Sequence, residues 1–435
     1  MKKVVIVGAG FGGLSLAKNL ASAPVEVLLI DKHNYHTFQP LLYQVATAGL
    51  EAEEIAHATR GIFQRQKNFR FCLGEVVDVN WGERKIHMKD ASIIDYDYLV
   101  LAAGGTTNYF GVDGAEEYGF ALKSLEEAID LRSHIIMCFE KADQHGYDSA
   151  SGLMHIVVVG GGPTGVEMAG ALCELIQKVL LKDYPDLPSD RYQVTLVEAS
   201  PGLLNAYNSS LQTYAVKQLK KRGVNVLLNT QVTRVTPNQV YLNNGDVLDA
   251  QTLVWAAGIQ ANTLATELEL PTTRGGRIEV DEWLRIPGYE NVFAVGDIAA
   301  SKDQEGTMYP QLAPVAMQAG KHVATVIKRE LAGKSSDVFE YKDRGTMATI
   351  GRNAAVAELN FGFRSTGFIA WIMWLVLHLM QLVGFRNRLN VLLNWAWNYF
   401  TYDRSARLIM PVNKSETLQD THSIPEEEEY SVITK

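Results

Sequence analysis

The sequence predicts an α/β protein with two parallel sheets, each organised around a strand that turns into a helix through a glycine-rich loop. Two stretches, KVVIVGAGFGG (3–13) and HIVVVGGGPTG (155–165), share one pattern, and each is followed by the same series of strands. The two copies run for 96 and 98 positions from their first glycine to a closing Ala-Ala-Gly. After the second copy, a stretch of 20 residues without a charge (366–385) predicts apolar helices near the C-terminus.

Each copy begins with an apolar, β-branched strand that leads into G-x-G-x-x-G. The motif glycines are Gly8, Gly10 and Gly13 in the first copy, and Gly160, Gly162 and Gly165 in the second. A later strand ends in an acid, at Asp31 and at Glu198, and alternating strands follow it. A strand that runs into Ala-Ala-Gly closes each copy, at 98–104 and at 252–258. Four matching features in one order favour a duplicated domain.

This arrangement is typical of Rossmann-like dinucleotide-binding domains. The first glycine allows the tight turn, the second lets a pyrophosphate approach the backbone at the helix N-terminus, and the third packs the helix against the strand. The acid after the later strand hydrogen-bonds the adenosine ribose. Asp31 lies 23 residues after Gly8, near the usual spacing. Glu198 lies 38 residues after Gly160, and the extra length fits a helical extension and loop at 178–192.

The composition and the cysteines argue against several other kinds of protein. A net charge of −9 argues against nucleic acid as a partner. Cys72, Cys138 and Cys173 are scattered, so we expect core thiols rather than a disulfide framework or a metal site. The opening MKKVVIVGAGFGG has too short an apolar run for a signal peptide and leads into glycines, so we interpret it as the first strand.

Two helices are predicted in the uncharged stretch and in the segment after it, LNVLLNWAWNYF (389–400). The first piece is long enough to span a membrane, but polar and aromatic residues recur in it every 3–4 positions, which favours an amphipathic helix. The recurring residues are Trp371, Trp374, His378 and Gln381 in the first piece, and Asn387, Asn390, Asn394 and Asn398 around the second. The flanking arginines, which would meet anionic lipid heads, are Arg364, Arg386, Arg388 and Arg404. The pattern favours helices in the membrane interface, with a dimer core or a buried hairpin as the alternative.

The segment NVFAVGDIAA (291–300) resembles the two-dinucleotide-binding-domain flavoproteins, in which the aspartate of this motif bonds the ribityl chain of FAD. The resemblance implies this role for Asp297, with FAD in the first copy and a nicotinamide dinucleotide in the second. The expected domains are 1–116 and 263–335 for FAD, 117–262 for NADH, and 336–435 for membrane association, with an acidic tail. Disulfide reductases of this fold carry a redox C-x-x-x-x-C, and the corresponding stretch 35–50 has no cysteine, which excludes a disulfide as electron acceptor.

Glu198 also favours NADH over NADPH. A carboxylate at this position bonds the ribose 2′-hydroxyl and would repel a 2′-phosphate, whereas NADPH sites place an arginine nearby. The residues that follow, ASPGLLNA at 199–206, contain no basic side chain.

Four further segments resemble the type II NADH:quinone oxidoreductases, and the resemblance covers essentially the whole chain. The segments are YHTFQPLLYQVATAGL, TTNYFGVDGAEEYGFALKSLEEA, GGGPTGVEMAGAL and the C-terminal FGFRSTGF with WLVLHLMQLVGFRNR. The resemblance implies a respiratory enzyme that passes a hydride from NADH to FAD and two electrons to ubiquinone or menaquinone, without pumping protons. It implies a monotopic protein on the lipid bilayer surface, at the cytoplasmic face of a bacterial inner membrane. A homodimer through the C-terminal helices is a further expectation.

The resemblance also implies the residues of the sites. The residues expected to bind the two cofactors are Gly8, Gly10, Phe11, Gly12, Gly13, Asp31, Lys32, Gln44, Val76, Ala102, Gly104, Asp297, Leu312, Ala313, Gly160, Gly162, Pro163, Thr164, Gly165, Glu198, Ala257 and Gly258. A helix over 312–331 is expected to aim its positive N-terminus at the flavin. Glu167 is expected near the flavin and the nicotinamide, where it would position NADH or relay protons to quinone.

Two positions depart from the family pattern at the quinone end. Many members have Ala-Gln-x-Ala where this chain has Ala-Pro-Val-Ala at 313–316, so Gln318 becomes the expected polar contact. Many members have a lysine where we align Arg344, and an arginine keeps the charge but does not readily give up a proton. The expected catalytic residues are therefore Glu167, Gln318 and Arg344.

Two other functions stay open at this point. A sulfide:quinone oxidoreductase shares the fold and the C-terminal helices, but it needs reactive cysteines at the flavin and does not need a complete second glycine motif. An NADH-sensing flavoprotein of the apoptosis-inducing kind would use NADH binding to drive association with a partner. The acidic segment PEEEEY (425–430) would suit such docking, although solvated disorder is the simpler interpretation.

Overall fold

The computed structural model describes residues 1–145, 152–404 and 406–410, and the acidic segment at 425–430 lies outside the described residues. The strands are β1 Lys2–Val7, β2 Val25–Asp31, β3 Tyr35–Thr37, β4 Ala56–Ala58, β5 Phe69–Leu73, β6 Val76–Asn80, β7 Lys85–Met88, β8 Ile93–Asp95, β9 Tyr98–Leu101, β10 Gly105–Thr107, β11 Gly119–Phe120, β12 His155–Val159, β13 Gln193–Val197, β14 Val224–Leu227, β15 Val232–Val235, β16 Gln239–Leu242, β17 Val247–Asp249, β18 Thr252–Trp255, β19 Ile259–Ala261, β20 Val292–Ala294, β21 Thr346–Gly351, β22 Ala354–Glu358 and β23 Arg364–Thr366.

The helices connect these strands and form the C-terminal end. They are α1 Phe11–Asn19, α2 Leu42–Ala46, α3 Ala52–Ile55, α4 Thr59–Ile62, α5 Ala115–Tyr118, α6 Leu125–His145, α7 Pro163–Leu175, α8 Leu181–Asp183, α9 Ser209–Lys221, α10 Leu264–Glu267, α11 Ala313–Leu331, α12 Gly367–Gln381 and α13 Phe385–Thr401. A π-helical turn at Ile176–Leu180 joins α7 to α8, so the inserted segment after the second glycine loop begins as the predicted helical extension.

The first sheet is parallel throughout, in the order β20-β9-β1-β2-β5. Its central strand is buried on both faces, as expected of a parallel sheet covered on two sides. Val4 and Ile6 pack in the same cluster as residues of α1 and α11. Val5 and Val7 face the other way, towards β6 and β7 of a small antiparallel sheet. The continuous apolar run of β1 therefore follows from burial on both sides.

The second sheet repeats this plan, in the order β11-β18-β12-β13-β14, and is also parallel. Ile156 and Val158 pack towards α7 and α9, whereas Val157 and Val159 pack towards the antiparallel strands β15 and β16. The duplicated α/β fold predicted from the sequence is confirmed.

The second sheet is inserted into the first. Every strand of the second sheet lies between Gly119 and Trp255, and the chain then returns to add β20 to the edge of the first sheet. The two crossings between the sheets are β10 and β19, which pair antiparallel with Thr106 opposite Gln260. This pairing holds the carboxyl ends of the two sheets together, where the ligands of such folds bind.

The C-terminal part adds a three-stranded antiparallel sheet, β21-β22-β23, and the helices α12 and α13. A Cβ on Gly170 of α7 would lie 2.0 Å from the carbonyl oxygen of Ile350, so only glycine lets the helix approach β21 this closely. On the far side of the small sheet, Ala370 of α12 packs against Ala355 and Ala357 of β22. Among the described residues, no helix is both long enough and apolar enough to cross a bilayer.

Candidate active site

The first glycine loop shows three different uses of glycine. Gly8 has φ +112°, and a Cβ there would lie 2.3 Å from the carbonyl oxygen of Ala102. A Cβ on Gly13 would lie 1.9 Å from the carbonyl oxygen of Gly8, so this position sets the contact between helix and strand. Gly10, the residue before α1, has nothing within 4 Å of its Cβ position and faces open space. The loop therefore leaves backbone N–H groups accessible at a helix N-terminus, which suits a diphosphate.

The second glycine loop has the same geometry. Gly160 has φ +109°, and its Cβ position lies 2.9 Å from the backbone nitrogen of Ala257. A Cβ on Gly165 would lie 1.8 Å from the carbonyl oxygen of Gly160, while Gly162 faces open space. Pro163 and Thr164, which open α7, are exposed at the same place. Each sheet thus presents one diphosphate-sized cradle.

The two acids form hydrogen bonds with their glycine loops in the same way. Asp31 accepts a hydrogen bond from the backbone N–H of Ala9 at 2.6 Å and another from that of His33 at 2.7 Å. Glu198 accepts from the backbone N–H of Gly161 and from that of Ser200. Each carboxylate therefore stands beside its cradle at the end of a strand, where the adenosine ribose of a bound dinucleotide would lie.

Asp297 lies next to the start of α11, which also meets the first loop. Gln311 donates a hydrogen bond to the backbone oxygen of Asp297 at 3.0 Å, just before Leu312 caps the helix. A Cβ on Gly12 would lie 3.4 Å from the backbone oxygen of Ala316. The N-termini of α1 and α11 are therefore neighbours, and the positive end of α11 begins beside Asp297.

Sequence reasoning assigned no role to Lys123, which the structure places in this region. Its ammonium lies 4.0 Å from the carboxylate of Asp297, and both side chains are largely buried. Burial raises the pKa of Asp297 and lowers that of Lys123, since each charge is partly removed from water. The lysine stands just before a helix, in ALKSLEEA, but the sequence alone does not show where its side chain points.

Other expected cofactor residues lie around the two cradles. Gly104 and Gly258 both have positive φ, at the corners where β9 and β18 leave their sheets. Phe11 packs edge-on against His36 and Phe38, next to the first loop. Val76 is buried in the core of the first unit, whereas Lys32 is exposed.

Gln44 lies in α2 and contacts the C-terminal part of the chain. Its amide nitrogen donates to the hydroxyl of Tyr43 at 2.9 Å, and its amide oxygen accepts from Trp395 of α13 at 2.7 Å. The amide oxygen therefore joins α2 to the C-terminal helix, while the amide nitrogen is used within α2.

Glu167 is buried, with 8% of its surface exposed. It lies in the first turns of α7, directly after the second glycine loop, and points towards the C-terminal part. Its Oε1 accepts hydrogen bonds from the backbone N–H of Thr349 in β21 and from Nε1 of Trp374 in α12, both at 3.1 Å. Burial raises the pKa of Glu167 to about 8, and the two donors oppose that rise only in part. This carboxyl is therefore poised to exchange a proton near neutral pH.

The other two expected catalytic residues have different surroundings. The amide of Gln318 makes two 3.0 Å hydrogen bonds with the backbone of Lys342, so both of its ends clamp α11 to the segment before β21. Arg344 is exposed at the surface of that segment. The structure therefore brings neither side chain together with Glu167 as a free polar group.

The C-terminal helices expose many apolar residues, and several asparagines of α13 face the protein. We define the apolar surface as the exposed, outward stripe of α12 and α13. Its residues are Phe368, Ile369, Ile372, Val376, Leu377, Met380, Phe385, Leu389, Leu392, Leu393, Trp397 and Phe400. On the opposite face of α13, Asn387 donates to the backbone oxygen of Ala56 and Asn398 to that of Gly49. The recurring asparagines thus hold the helix to the protein body.

The expectation that Arg404 meets lipid heads is wrong. Its side chain is 13% exposed, and its guanidinium donates to the backbone oxygen of Thr47 at 2.6 Å and lies 3.7 Å from the carboxylate of Glu174. Arg386, by contrast, is exposed beside the apolar surface. The spacing of the arginines along the chain could not distinguish the two positions.

Comparisons with known proteins agree with this architecture. The family model described as pyridine nucleotide-disulphide oxidoreductase matches residues 2–320, and the one described as NDH2 C-terminal domain matches 344–402. The type II NADH:quinone oxidoreductase Ndh of Mycobacterium tuberculosis is 38% identical over 417 residues, which cover 92% of this chain and 89% of that protein.

Two solved structures share the fold. The NDH2 of Plasmodium falciparum in complex with NADH superposes with a TM-score of 0.86 at 20% identity, covering 94% of this chain and 100% of that one. The sulfide:quinone oxidoreductase of Aquifex aeolicus gives a TM-score of 0.69 at 17% identity, covering 98% of this chain and 96% of that one.

The duplicated sheets and their paired cradles define a member of the pyridine nucleotide-disulphide oxidoreductases. Within that class, the likeness extends through the C-terminal helices over nearly the full chain. The chain belongs to the type II NADH:quinone oxidoreductases.

Proposed function

We propose that this chain oxidises NADH with a bound FAD and reduces a quinone held in the membrane, without moving protons across it. The observation that carries the proposal is the position of Glu167. This carboxyl follows the second dinucleotide cradle directly in sequence, yet it is hydrogen-bonded by a tryptophan of the apolar C-terminal helix α12. One side chain therefore joins the nucleotide site to the part of the molecule that faces lipid.

The two cradles fit FAD and NADH, respectively. In the first unit, Asp31 and the open backbone at Gly10 would hold the adenosine and diphosphate, and Asp297 would bond the ribityl chain. In the second, Glu198 would bond the ribose 2′-hydroxyl of NADH beside Gly162. Bound FAD supplies the two-electron carrier that side chains lack, and the chain supplies alignment and charge.

Charges around the first cradle would favour electron transfer to the flavin. The N-terminus of α11 brings a positive dipole end to Asp297, and the Lys123 ammonium adds a full charge at 4.0 Å from that carboxylate. A positive region at this place would stabilise negative charge gained on reduction.

The apolar surface would hold the enzyme on the bilayer as a monotopic protein. Within the part of the chain that the structure describes, nothing covers its exposed phenylalanines, leucines and Trp397, and Arg386 lies beside them for anionic lipid heads. NADH is made inside cells, so in a bacterium the matching face is the cytoplasmic side of the inner membrane. Alternatively, the same surface would form the interface of a homodimer. The quinone would be ubiquinone or menaquinone.

The test is stopped-flow spectroscopy of the purified holoenzyme. NADH should bleach the flavin absorbance far faster than NADPH, and a soluble ubiquinone or menaquinone analogue should restore it. Reduction by NADH with no reoxidation by either analogue would overturn the quinone assignment. It would favour an NADH-sensing flavoprotein instead.

The sulfide:quinone alternative is disfavoured by the cysteines. Cys138 and Cys173 are buried, and burial raises their thiol pKa to about 11 and about 12, so neither is a ready nucleophile. Cys72 lies in β5, remote in sequence from both. Sulfide should therefore leave the flavin spectrum unchanged under conditions in which NADH bleaches it.

A further inference from the structure

The two hydrogen bonds to Glu167 fall on the same oxygen. Thr349 N–H and Trp374 Nε1–H both donate to Oε1, and no donor among the described residues is recorded for Oε2. Both donors are N–H groups that cannot accept, because the amide and indole nitrogens carry no available lone pair. Oε1 therefore acts as the acceptor in either protonation state, and the exchangeable proton of the acid belongs on Oε2.

We propose that Trp374 is a positioning residue for Glu167. Together with the Thr349 amide it fixes Oε1, so that Oε2 carries the proton passed to the substrate during quinone reduction. The assignment rests on the proposed function, and it adds that the helix lying on the membrane sets the orientation of the proton donor.

Trp374 is itself held in place tightly. Its side chain is 1% exposed, and it is among the largest fully buried side chains of the protein. The His378 ring stacks on it with centroids 3.9 Å apart, and Nδ1 of His378 donates to the backbone oxygen of Trp374 at 2.7 Å. Tyr43 meets the indole edge-on at 6.3 Å. The indole is therefore fixed by packing on both sides, as a positioning group requires.

The groups around the carboxyl leave Glu167 as the one that titrates near neutral pH. Tyr43 faces it from α2 and Tyr207 from the loop before α9, and burial raises the pKa of both phenols. Burial lowers the pKa of His378 to about 4, and its hydrogen bond to the backbone of Trp374 opposes that shift only in part, so this ring stays neutral. Arg404 and Glu174, which both act on Tyr43, lie 3.7 Å apart and offset each other.

Glu358 of β22 is a further charged group near Tyr207. It influences Tyr207 and is bonded to Arg364 at 2.8 Å. The pKa of Glu167 therefore depends mainly on burial and on its two donors.

The test removes one donor and measures the proton directly. The carboxylic C=O band of protonated Glu167 is followed by infrared spectroscopy against pH and is assigned by its loss in Glu167→Gln. In Trp374→Phe the band should persist to higher pH, with its midpoint raised by about one pH unit, since a hydrogen bond to a carboxylate stabilises the ionised form. Trp371→Phe is the matched control. It lies on the same helix and stacks on Tyr399, and it should leave the midpoint unchanged.

The same variants are followed in flavin reoxidation by a quinone analogue. Its rate should fall as Glu167 ionises, and this alkaline limb should move up with the infrared midpoint in Trp374→Phe alone. Benzothienylalanine at position 374, which keeps both rings and lacks the N–H, covers the case in which phenylalanine impairs folding. An unchanged midpoint, an equal change in the control, or a limb that does not follow the midpoint would each overturn the proposal. The infrared titration tests the role of Trp374 without any turnover. A failure to reduce quinone would instead refute the proposed function.

Discussion

The apolar surface offers a quantitative test of membrane binding. Phe385 and Phe400, near the two ends of α13, are 82% and 81% exposed. Fully burying a phenylalanine side chain contributes about 1.5–3 kcal/mol. At four-fifths exposure, the pair would contribute about 2.4–4.8 kcal/mol on entering the bilayer, and each 1.4 kcal/mol is about tenfold in partitioning. The double variant Phe385→Ser/Phe400→Ser should therefore bind vesicles more weakly by roughly 50-fold or more.

The assay is co-sedimentation with vesicles of phosphatidylcholine and phosphatidylglycerol over a range of lipid concentrations. The matched control is Ile93→Ser/Val247→Ser, two exposed apolar residues (55% and 44%) on the small sheets of the two units. The control should bind like the wild type. Equal binding of the two double variants would refute the reasoning. A dimer that dissociates in Phe385→Ser/Phe400→Ser while vesicle binding persists would assign the surface to a second copy.

Three further outcomes follow from the same geometry. In Glu198→Gln, the preference for NADH over NADPH in kcat/KM should fall about tenfold, because the repulsion of a 2′-phosphate is lost; an unchanged ratio would place the discrimination elsewhere. Burial raises the pKa of Glu167 from 4.5 to about 8, so the folded state binds a proton that the unfolded state has lost over that range, and stability falls as pH rises. In urea unfolding, the free energy of unfolding of Glu167→Gln relative to that of the wild type should rise between pH 4.5 and 8, by up to about 5 kcal/mol. A difference that does not change with pH would contradict this. Lys123→Met should lower the flavin midpoint potential by about 30 mV in spectroelectrochemistry, and Lys123→Arg should have a potential close to that of the wild type. Equal potentials in Lys123→Met and the wild type would show that Lys123 does not act on the flavin.

The duplicated fold could be predicted from the sequence because its determinants are local. A strand, three glycines at fixed spacing and an acid specify a turn, a helix start and a ribose contact within about forty residues. The structure shows the same carboxylate-to-loop bonds at Asp31 and Glu198, although the two acids lie at different distances from their glycines. The inserted segment at 178–192 changes the length of chain between the elements and leaves their contact intact.

The orientation of the C-terminal helices could not be predicted from periodicity alone. Periodicity identifies two faces, but it does not say which one meets the protein. Asparagines would ordinarily face water, yet here Asn387 and Asn398 donate to the backbone oxygens of Ala56 in β4 and of Gly49 after α2. Trp374 was grouped with polar residues by its spacing and turns out to be buried against Glu167.

The polar contacts of the candidate site depended on tertiary structure as well. Gln318 was chosen because a glutamine was missing at 314, but both ends of its amide bond the backbone of Lys342. Lys123 and Trp374 stand 174 and 207 positions from the carboxylates they approach, Asp297 and Glu167. One sequence contains no local signal for contacts at that separation.

The central claim is that one chain passes electrons from NADH in water to quinone in lipid. It is tested most directly by adding NADH outside sealed vesicles that carry the enzyme on their outer surface and a pH indicator in their lumen. NADH should be oxidised rapidly only when ubiquinone or menaquinone is present in the bilayer, with no change in lumenal pH. Oxidation at the same rate without quinone, or acidification of the lumen during turnover, would contradict the account.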